Sequence, residues 1–388
     1  MGNRKIHWYD LGDNGSLYID SENIISLISQ GINKSGSLSK LCQKINSGQL
    51  YNIVKYNRGI TVKTLKRLLD YIGTSYDAWN GKIMQIRKGT VASIINPKFP
   101  IDLSNYRMGY LIGHLMSDGC LYYDKSRKNL IRTKYCSDNR KAIDRFLSNI
   151  VDVFGEVHYN EEFIRNCIQL KIGNGFIGDT FRKSGVTVGK KFEIDSSLPW
   201  VILEGDTLIK KAYLSAIFDD EGSVGIKPAP YIILSRNIHI DLTPAEESIL
   251  SRISHLMTID YFPTGHYTKR LAIRKLKNAL VDTPLFINKI LNSKPRLLLE
   301  ESKLLKELGI NNKTYVMSLQ ITTNGNISIQ SSLVISRKED VVKFYKEIGF
   351  SCYLKQNKLG EALKQRGRIA NVESVQHLNE EQGIIQAI

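Results

Sequence analysis

The chain of 388 residues carries 54 Lys and Arg against 38 Asp and Glu, a formal net charge of +16, with 42% hydrophobic and 24% charged residues. That length allows two or three domains with cores of their own, and the composition excludes wholesale disorder. No apolar run reaches bilayer length and the opening MGNRKIHWYD has no signal-peptide core, which predicts a cytoplasmic protein without a membrane partner, while the basic excess favours a polyanion such as nucleic acid.

Residues 1–98 read as an all-α module. Apolar residues recur at helical spacing in ENIISLISQGI, LSKLCQKI, QLYNIVKY and VKTLKRLLDYIG. Asn46, Ser47 and Gly48 separate the second and third of these by the length of a helix-turn-helix turn, and Thr61 is placed to cap the fourth. This first quarter holds 14 Lys and Arg against 6 Asp and Glu, half of the whole chain's excess. Gln49, Asn52, Lys55 and Arg58 fall on or beside the presumed recognition helix and are types that reach base edges and phosphates. The turn formers of INPKFPIDLSN (95–105) predict a linker.

Mixed helix and strand follow. The pattern predicts strands at Leu121–Tyr123 and Leu130–Cys136, a helix at Arg140–Phe154, a hairpin ending in CIQLKIG (167–173), a helix from Phe176 and a loop through Pro199. A similar series restarts with a helix at 207–219, a strand near Val224–Lys227 and the strand YIILSRNIHIDL (231–242). Arg132, Lys134, Gln169, Lys171, Lys227 and Arg236 are the candidate DNA contacts from strands. Gly119 and Gly222 mark the two series 103 residues apart, yet 166 residues follow Gly222, more than one repeat length. Either the repeat closes near Asn292 and 300–388 is an extension, or 244–297 is an insertion and TYVMSLQIT, SIQSSLVIS and EDVVKFYKEIGF complete the repeat. Both parses stay open, the second preferred. The predicted domains are 1–98, 99–203 and 204–388, the last with an insertion or C-terminal extension.

Each series begins on the same kind of segment, LIGHLMSDG (111–119) and LSAIFDDEG (214–222). Gly109, Gly113 and Ser117 make a stripe of small residues on one helix, and Ala212 and Ala216 make another, the composition that lets helix backbones approach closely. At the C-terminal end of each stripe stands an acid, Asp118 or Glu221, followed by a glycine expected to turn the chain sharply. A carboxylate there opposes the helix dipole, and two together repel. A divalent cation reverses both penalties, and magnesium suits few carboxylates completed by water and phosphate. Carboxylate-held metal suggests phosphodiester hydrolysis by activated water. The five cysteines lack a CxxC pair and the seven histidines lack HExxH spacing, which argues against zinc and against a disulfide framework.

The two segments, with the flanks YLIGHLMSDGCLYY, KKAYLSAIFDDEGSVG and FYKEIGF, resemble the LAGLIDADG homing endonuclease family in its single-chain, two-motif, archaeal-type form, over roughly residues 100–360. The resemblance implies an α+β fold of pseudo-symmetric duplicated αββαββα halves, here with an N-terminal helix-turn-helix-like domain. It also implies a monomer that cuts both strands of double-stranded DNA with magnesium, for which manganese can substitute. Carried over, Asp118 and Glu221 are the catalytic acids and metal ligands, and the terminal carbonyls near Ser117 and Asp220 assist. The sixth motif position is Met116 in one copy and Asp219 in the other, and Lys134, Tyr135, Cys136, Leu242 and Thr243 lie where many members place Gln or Lys. Without splicing signals, the expectation is a free-standing, intron- or element-encoded protein. The alternatives are a catalytically reduced DNA-binding regulator, a maturase that binds intron RNA, and a different carboxylate-metal enzyme acting on structured RNA.

Overall fold

The structure, a computed structural model, describes residues 4–56, 58–88, 92–127, 130–164, 166–189, 191, 194–261 and 267–369, so the end of the predicted 204–388 region lies outside the described residues. The chain divides into two compact units, Met1–Gly189 and Lys190–Ile388. No helix among the described residues is long and apolar enough to cross a membrane.

The first unit opens with β1 (Lys5–Ile6), β2 (Ser16–Ile19), α1 (Ser21–Ser35), α2 (Leu38–Lys44), α3 (Gln49–Tyr56), β3 (Ile60–Thr61) and α4 (Val62–Ile72). Local chemistry sets these helix ends. Asp20, Ser37 and Thr61 accept from backbone N–H groups at the starts of α1, α2 and α4. Gly36 and Gly73 close α1 and α4 in the left-handed conformation, with φ of 90° and 92°. Leu27, Leu41, Leu50, Ile53, Leu65 and Leu68 form the buried side of this group. A Cβ on Gly31 would lie 2.8 Å from Leu41 Cδ2, so a larger residue there would require the Leu41 side chain to shift.

Next come β4 (Ile83–Arg87), β5 (Ser93–Ile95), β6 (Ile101–Asp102), α5 (Tyr106–Met116), β7 (Cys120–Tyr123), β8 (Ile131–Ser137), α6 (Arg140–Phe154), β9 (Glu156–Val157), β10 (Tyr159–Ile164), β11 (Cys167–Ile172) and α7 (Gly175–Lys183). The all-α reading of residues 1–98 is corrected here, because β3, β2, β4, β5 and β9 form a five-stranded sheet in that order. Segments of two to five residues such as IMQIR are too short for alternation to show against helical spacing. Residues on either side of position 98 also share sheets, through Ile94 opposite Val157 and Ile6 opposite Ile101. A second sheet, antiparallel throughout, has the order β7-β8-β11-β10. Its inner face, with Leu121, Ile131, Tyr135, Leu170 and Ile172, belongs to the same buried core as Ile143 and Phe146 of α6.

The second unit contains α8 (Trp200–Leu203), α9 (Thr207–Glu221), β12 (Gly222–Gly225), β13 (Tyr231–His239), α10 (Pro244–Ile253), β14 (Thr258–Tyr261), β15 (Tyr267–Ala272), α11 (Ile273–Ala279), α12 (Pro284–Asn292), α13 (Arg296–Glu307), β16 (Lys313–Thr322), β17 (Ile327–Ile335), α14 (Lys338–Glu347) and α15 (Tyr353–Lys364). Its six strands run antiparallel in the order β12-β13-β17-β16-β15-β14. β13 pairs directly with β17, from Ile232 opposite Ile335 to His239 opposite Ser328. Residues 244–297 therefore leave the sheet after β13 and return beyond β16. Counted from the strand after the acidic helix, the first sheet runs first, second, fourth, third, and the second runs first, second, sixth, fifth, fourth, third, which reduces to the same order when β14 and β15 are set aside.

Candidate functional site

In the first unit, Asn105 caps α5 by accepting from Arg107 N at 2.9 Å, and every residue from Met108 to Met116 is buried, Gly109 and Gly113 included. The helix stops at Met116. Ser117 departs to φ −109°, ψ −104° and its hydroxyl donates to Gly113 O at 2.9 Å, which satisfies a terminal carbonyl. Gly119 N donates to His114 O at 2.8 Å. Between these anchors Asp118 is exposed in the turn.

In the second unit, Asp206 caps α9 by accepting from Ile209 N at 2.9 Å, and Ala212 to Phe218 are buried, which encloses Ala212 and Ala216. This helix continues through Glu221, and Gly222 is extended at φ −76°, ψ 152°. The sharp glycine turn expected from the sequence is corrected at this end, since any residue adopts that conformation. Glycine is needed for space: a Cβ on Gly222 would lie 2.4 Å from Phe218 O, and one on Gly119 would lie 2.8 Å from His114 O. Gly222→Ala is expected to cost about 1–3 kcal/mol of stability through overpacking, measurable by urea denaturation. An unchanged midpoint would mean that the helix end shifts freely.

Two features at the end of α9 lay beyond sequence reasoning. Lys355 of α15 donates through Nζ to Phe218 O at 3.2 Å and also to Asp219 O, while Cys352 N donates to Asp219 Oδ1 at 2.9 Å. An ammonium group thus faces the negative end of the helix dipole and offsets the cluster of acids there. Asp220 is half-buried. Glu221 is half-buried too, and its Oε1 accepts from Arg236 Nη1 at 2.6 Å. Arg236 also donates to Glu301, from Nη2 at 2.6 Å and from Nε at 3.3 Å, and Tyr213 OH donates to Glu301 Oε1 at 3.0 Å. Burial works against the charge on Arg236, but Glu221 and Glu301 outweigh it and hold the guanidinium above its ordinary range. Burial, then the Glu301 charge, pushes the Tyr213 phenol well up and keeps it a donor.

Arg236 is therefore corrected as a DNA contact. Side chains alternate along β13, and Ile232, Leu234 and Arg236 share the buried side. Gln49 is corrected as well: its Oε1 accepts from Thr61 N and Thr61 Oγ1, both at 3.1 Å, which ties the start of α3 to that of α4. Arg132 is spent on Asp124, at 2.9 Å from Nε and 2.8 Å from Nη2, and on Gly173 O. The Ser126 hydroxyl and then Arg132 pull the Asp124 carboxyl down to about 2.

The remaining candidates are presented outward or half-buried. Asn52, Lys55 and Arg58 are exposed, and Lys55 and Arg58 stand 5.2 and 5.4 Å from the ring of Tyr56, itself exposed. Sequence reasoning overlooked Tyr56, whose ring offers a surface on which both cations rest. Lys134, Gln169 and Lys171 share one face of the first unit's four-stranded sheet, with Lys134 opposite Lys171 in register. Lys171 pairs with Glu162 at 2.6 Å, and the Gln169 amide donates to Cys136 Sγ at 3.5 Å. Lys227 is exposed in the β12–β13 turn. Also missed was the outer face of the second unit's sheet, where Asn237, His239, Gln320, Gln330, Thr268 and Arg270 line a concavity of about 520 Å³.

The donors expected for a cation are hard oxygens of the kind magnesium takes: the Asp118 carboxylate is open to solvent, and Glu221 has one oxygen on Arg236. No group of three or more His, Cys, Asp or Glu able to hold a metal occurs among the described residues. No family model matches the chain. No curated protein matches it either. Among solved structures it is similar to the homing endonuclease I-DmoI in complex with DNA and Mn, at 13% identity over 64% of this chain and 98% of that one, TM-score 0.35. It is also similar to full-length DUF199/WhiA from Thermatoga maritima, at 15% identity over 72% of this chain and 67% of that one, TM-score 0.31. A third such structure is the homing endonuclease I-WcaI bound to its DNA recognition sequence, at 11% identity over 46% of this chain and 81% of that one, TM-score 0.25.

Proposed function

We propose that the chain is a site-specific, homing-type endonuclease that hydrolyses both strands of DNA with a divalent metal, magnesium by preference. The observation that carries this reading is the repetition of one arrangement: a buried helix with an acid and then a glycine at or just beyond its C-terminal end, followed by a sheet whose strands, with the inserted β14 and β15 set aside, run first, second, fourth, third. Structural packing needs buried helices, but it gives no reason to place a carboxylate at or just beyond the C-terminal end of both, against the dipole. Asp118 and Glu221 would hold the metal through their carboxylates, with backbone oxygens of Ser117 and Asp220 assisting. The metal when bound would polarise the phosphate and activate water. Arg236 fixes one oxygen of Glu221 and so restricts how that carboxylate turns. Lys355 keeps the helix end populated by neutralising its carbonyls.

The ion pair of Glu221 with Arg236 favours a second reading, in which Glu221 is structural and the protein is a DNA-binding regulator that does not cut. One experiment separates the two. The full chain with magnesium is incubated with a library of randomised duplex DNA, and both cut ends and bound, uncut sequences are recovered. Enrichment of a cut site supports the nuclease, enrichment of binding alone supports the regulator, and enrichment of neither removes both.

Phosphate contacts are expected to dominate affinity, given the +16 charge. Lys55→Ala with Arg58→Ala should flatten the slope of log K against log salt by up to about 1.8, at about 0.9 for each lost phosphate contact. Anisotropy titrations between about 50 and 200 mM salt measure this. An unchanged slope would assign the exposed face of α3 to solvent.

A further inference from the structure

We infer that Tyr353 and Leu354, at the start of α15, form an apolar wedge that opens one base step of bound DNA from the minor groove, beside the phosphate attacked at the Glu221 end. This rests on the reading that the chain cuts duplex DNA. Several contacts hold this stretch against the acidic helix. Cys352 N donates to Asp219 Oδ1 at 2.9 Å, and Lys355 Nζ donates to Phe218 O at 3.2 Å and to Asp219 O. The hydroxyls of Ser215 and Ser351 lie 3.3 Å apart. Tyr353 and Leu354, between Cys352 and Lys355, therefore stand beside the last turn of α9, which ends on Glu221.

The support beneath the pair is firm. Phe350 is buried and its ring meets those of Phe218 and Phe344. Gln356, also buried, accepts from Phe350 N at 2.9 Å and donates to Tyr345 O at 3.4 Å, which clamps the turn leading into α15. From this anchored turn Leu354 projects at 77% exposure and Tyr353 at 62%. One exposed apolar residue is ordinary on a protein surface. Two adjacent ones, on a turn whose neighbours Cys352, Lys355 and Gln356 are all bonded inward, make a fixed apolar tip. Its surroundings indicate what it meets. Lys358 is exposed one turn on from Leu354, on the same face of α15, and Lys364 is exposed at the helix end. Two apolar residues fall far short of the apolar face that a membrane-surface helix needs. Cations beside an apolar tip suit a duplex, in which lysine meets phosphate while the tip parts two stacked bases. Such wedges kink DNA by about 20–90°. A kink here would set the phosphate against the acid end of α9, and a misplacement of about 1 Å there can cost about a hundredfold in rate.

The test uses the full chain on the duplex site recovered from the randomised library. That duplex carries 2-aminopurine at each central position in turn and a dye at each end, with calcium in place of magnesium to keep it uncut. The wild type is expected to brighten 2-aminopurine at one step and to draw the duplex ends together. Leu354→Gln with Tyr353→Ala should abolish the brightening and most of the bend. At saturating protein in magnesium it should also lower the cutting rate about tenfold or more. Leu354→Met alone keeps an apolar tip and should brighten the same step. Lys358→Ala should keep the brightening and lower the salt slope by about 0.9. If the double variant brightens that step as the wild type does, or the wild type cuts its site and brightens no step, the wedge falls while the nuclease reading stands. If the wild type cuts no sequence, that reading falls and takes the wedge with it. Both residues are exposed, so melting of the double variant should match the wild type, and a lower melting temperature would assign the pair to packing within the protein instead.

Discussion

Replacing Asp118 with Asn, or Glu221 with Gln, is expected to abolish DNA cleavage while leaving binding in place. Each change keeps the shape of the side chain and removes one negative charge from a set of oxygen donors. An amide oxygen is a poor substitute for a carboxylate on a hard cation. Changes to residues that merely support a metal ligand commonly cost about 10–100-fold, so loss of a ligand should exceed about a hundredfold. Binding, dominated by phosphate contacts, should move by no more than about twofold. The two variants are not equivalent. Asp118 is exposed in a turn, whereas Glu221 has Arg236 on one oxygen at 2.6 Å. Glu221→Gln therefore also disturbs a buried guanidinium. Cleavage is read on selected DNA in magnesium, and affinity by anisotropy in calcium. Cutting by the double variant at the wild-type rate would refute the assignment of both acids.

Glu301→Ala is expected to be the most destabilising single change in the second unit. The Glu301 side chain has no solvent exposure and Arg236 has 8%. Between them run the hydrogen bonds from Nη2 and Nε, and Tyr213 adds its own at 3.0 Å. Truncation would take the Glu301 carboxylate from a buried guanidinium and from a buried phenol. Breaking a buried pair from one side typically costs about 3–5 kcal/mol, well above the median worth of a surface pair. Urea unfolding of the variant should show the full loss, followed through signals of the second unit. The double change Glu301→Leu with Arg236→Met should recover most of it, because an apolar pair pays no desolvation of charge. A loss under about 1 kcal/mol for Glu301→Ala would mean that water reaches Arg236 and that the network is ordinary surface chemistry.

Helices were the most legible elements. The predicted helix Arg140–Phe154 is α6 to the residue, because fifteen residues carry four turns of apolar spacing and Asn139 stands ready as its cap. The strands of the N-terminal region failed to show because each is only two to five residues long. Arg236 was readable and misread: it has the parity of Ile232, Leu234 and Ile238, so alternation already placed it on the buried side. Its partner Glu301 lies 65 residues away on α13, and nothing local to either residue announces the pair. Lys355 lies still further from the helix it caps, 136 residues from Asp219.

The amino-acid order alone determined the acid–glycine helix ends, the helices with sustained apolar period and the basic balance, since each depends on neighbours within a few turns or on composition. Tertiary structure decided which polar side chains are free to act. Arg236 and Arg132 went to internal carboxylates, Gln49 to a helix junction, and Thr268 and Arg270 to an outward sheet face. The reason is physical. A side chain's chemistry is local, but whether water, a partner residue or a ligand satisfies it depends on what the folded chain brings beside it.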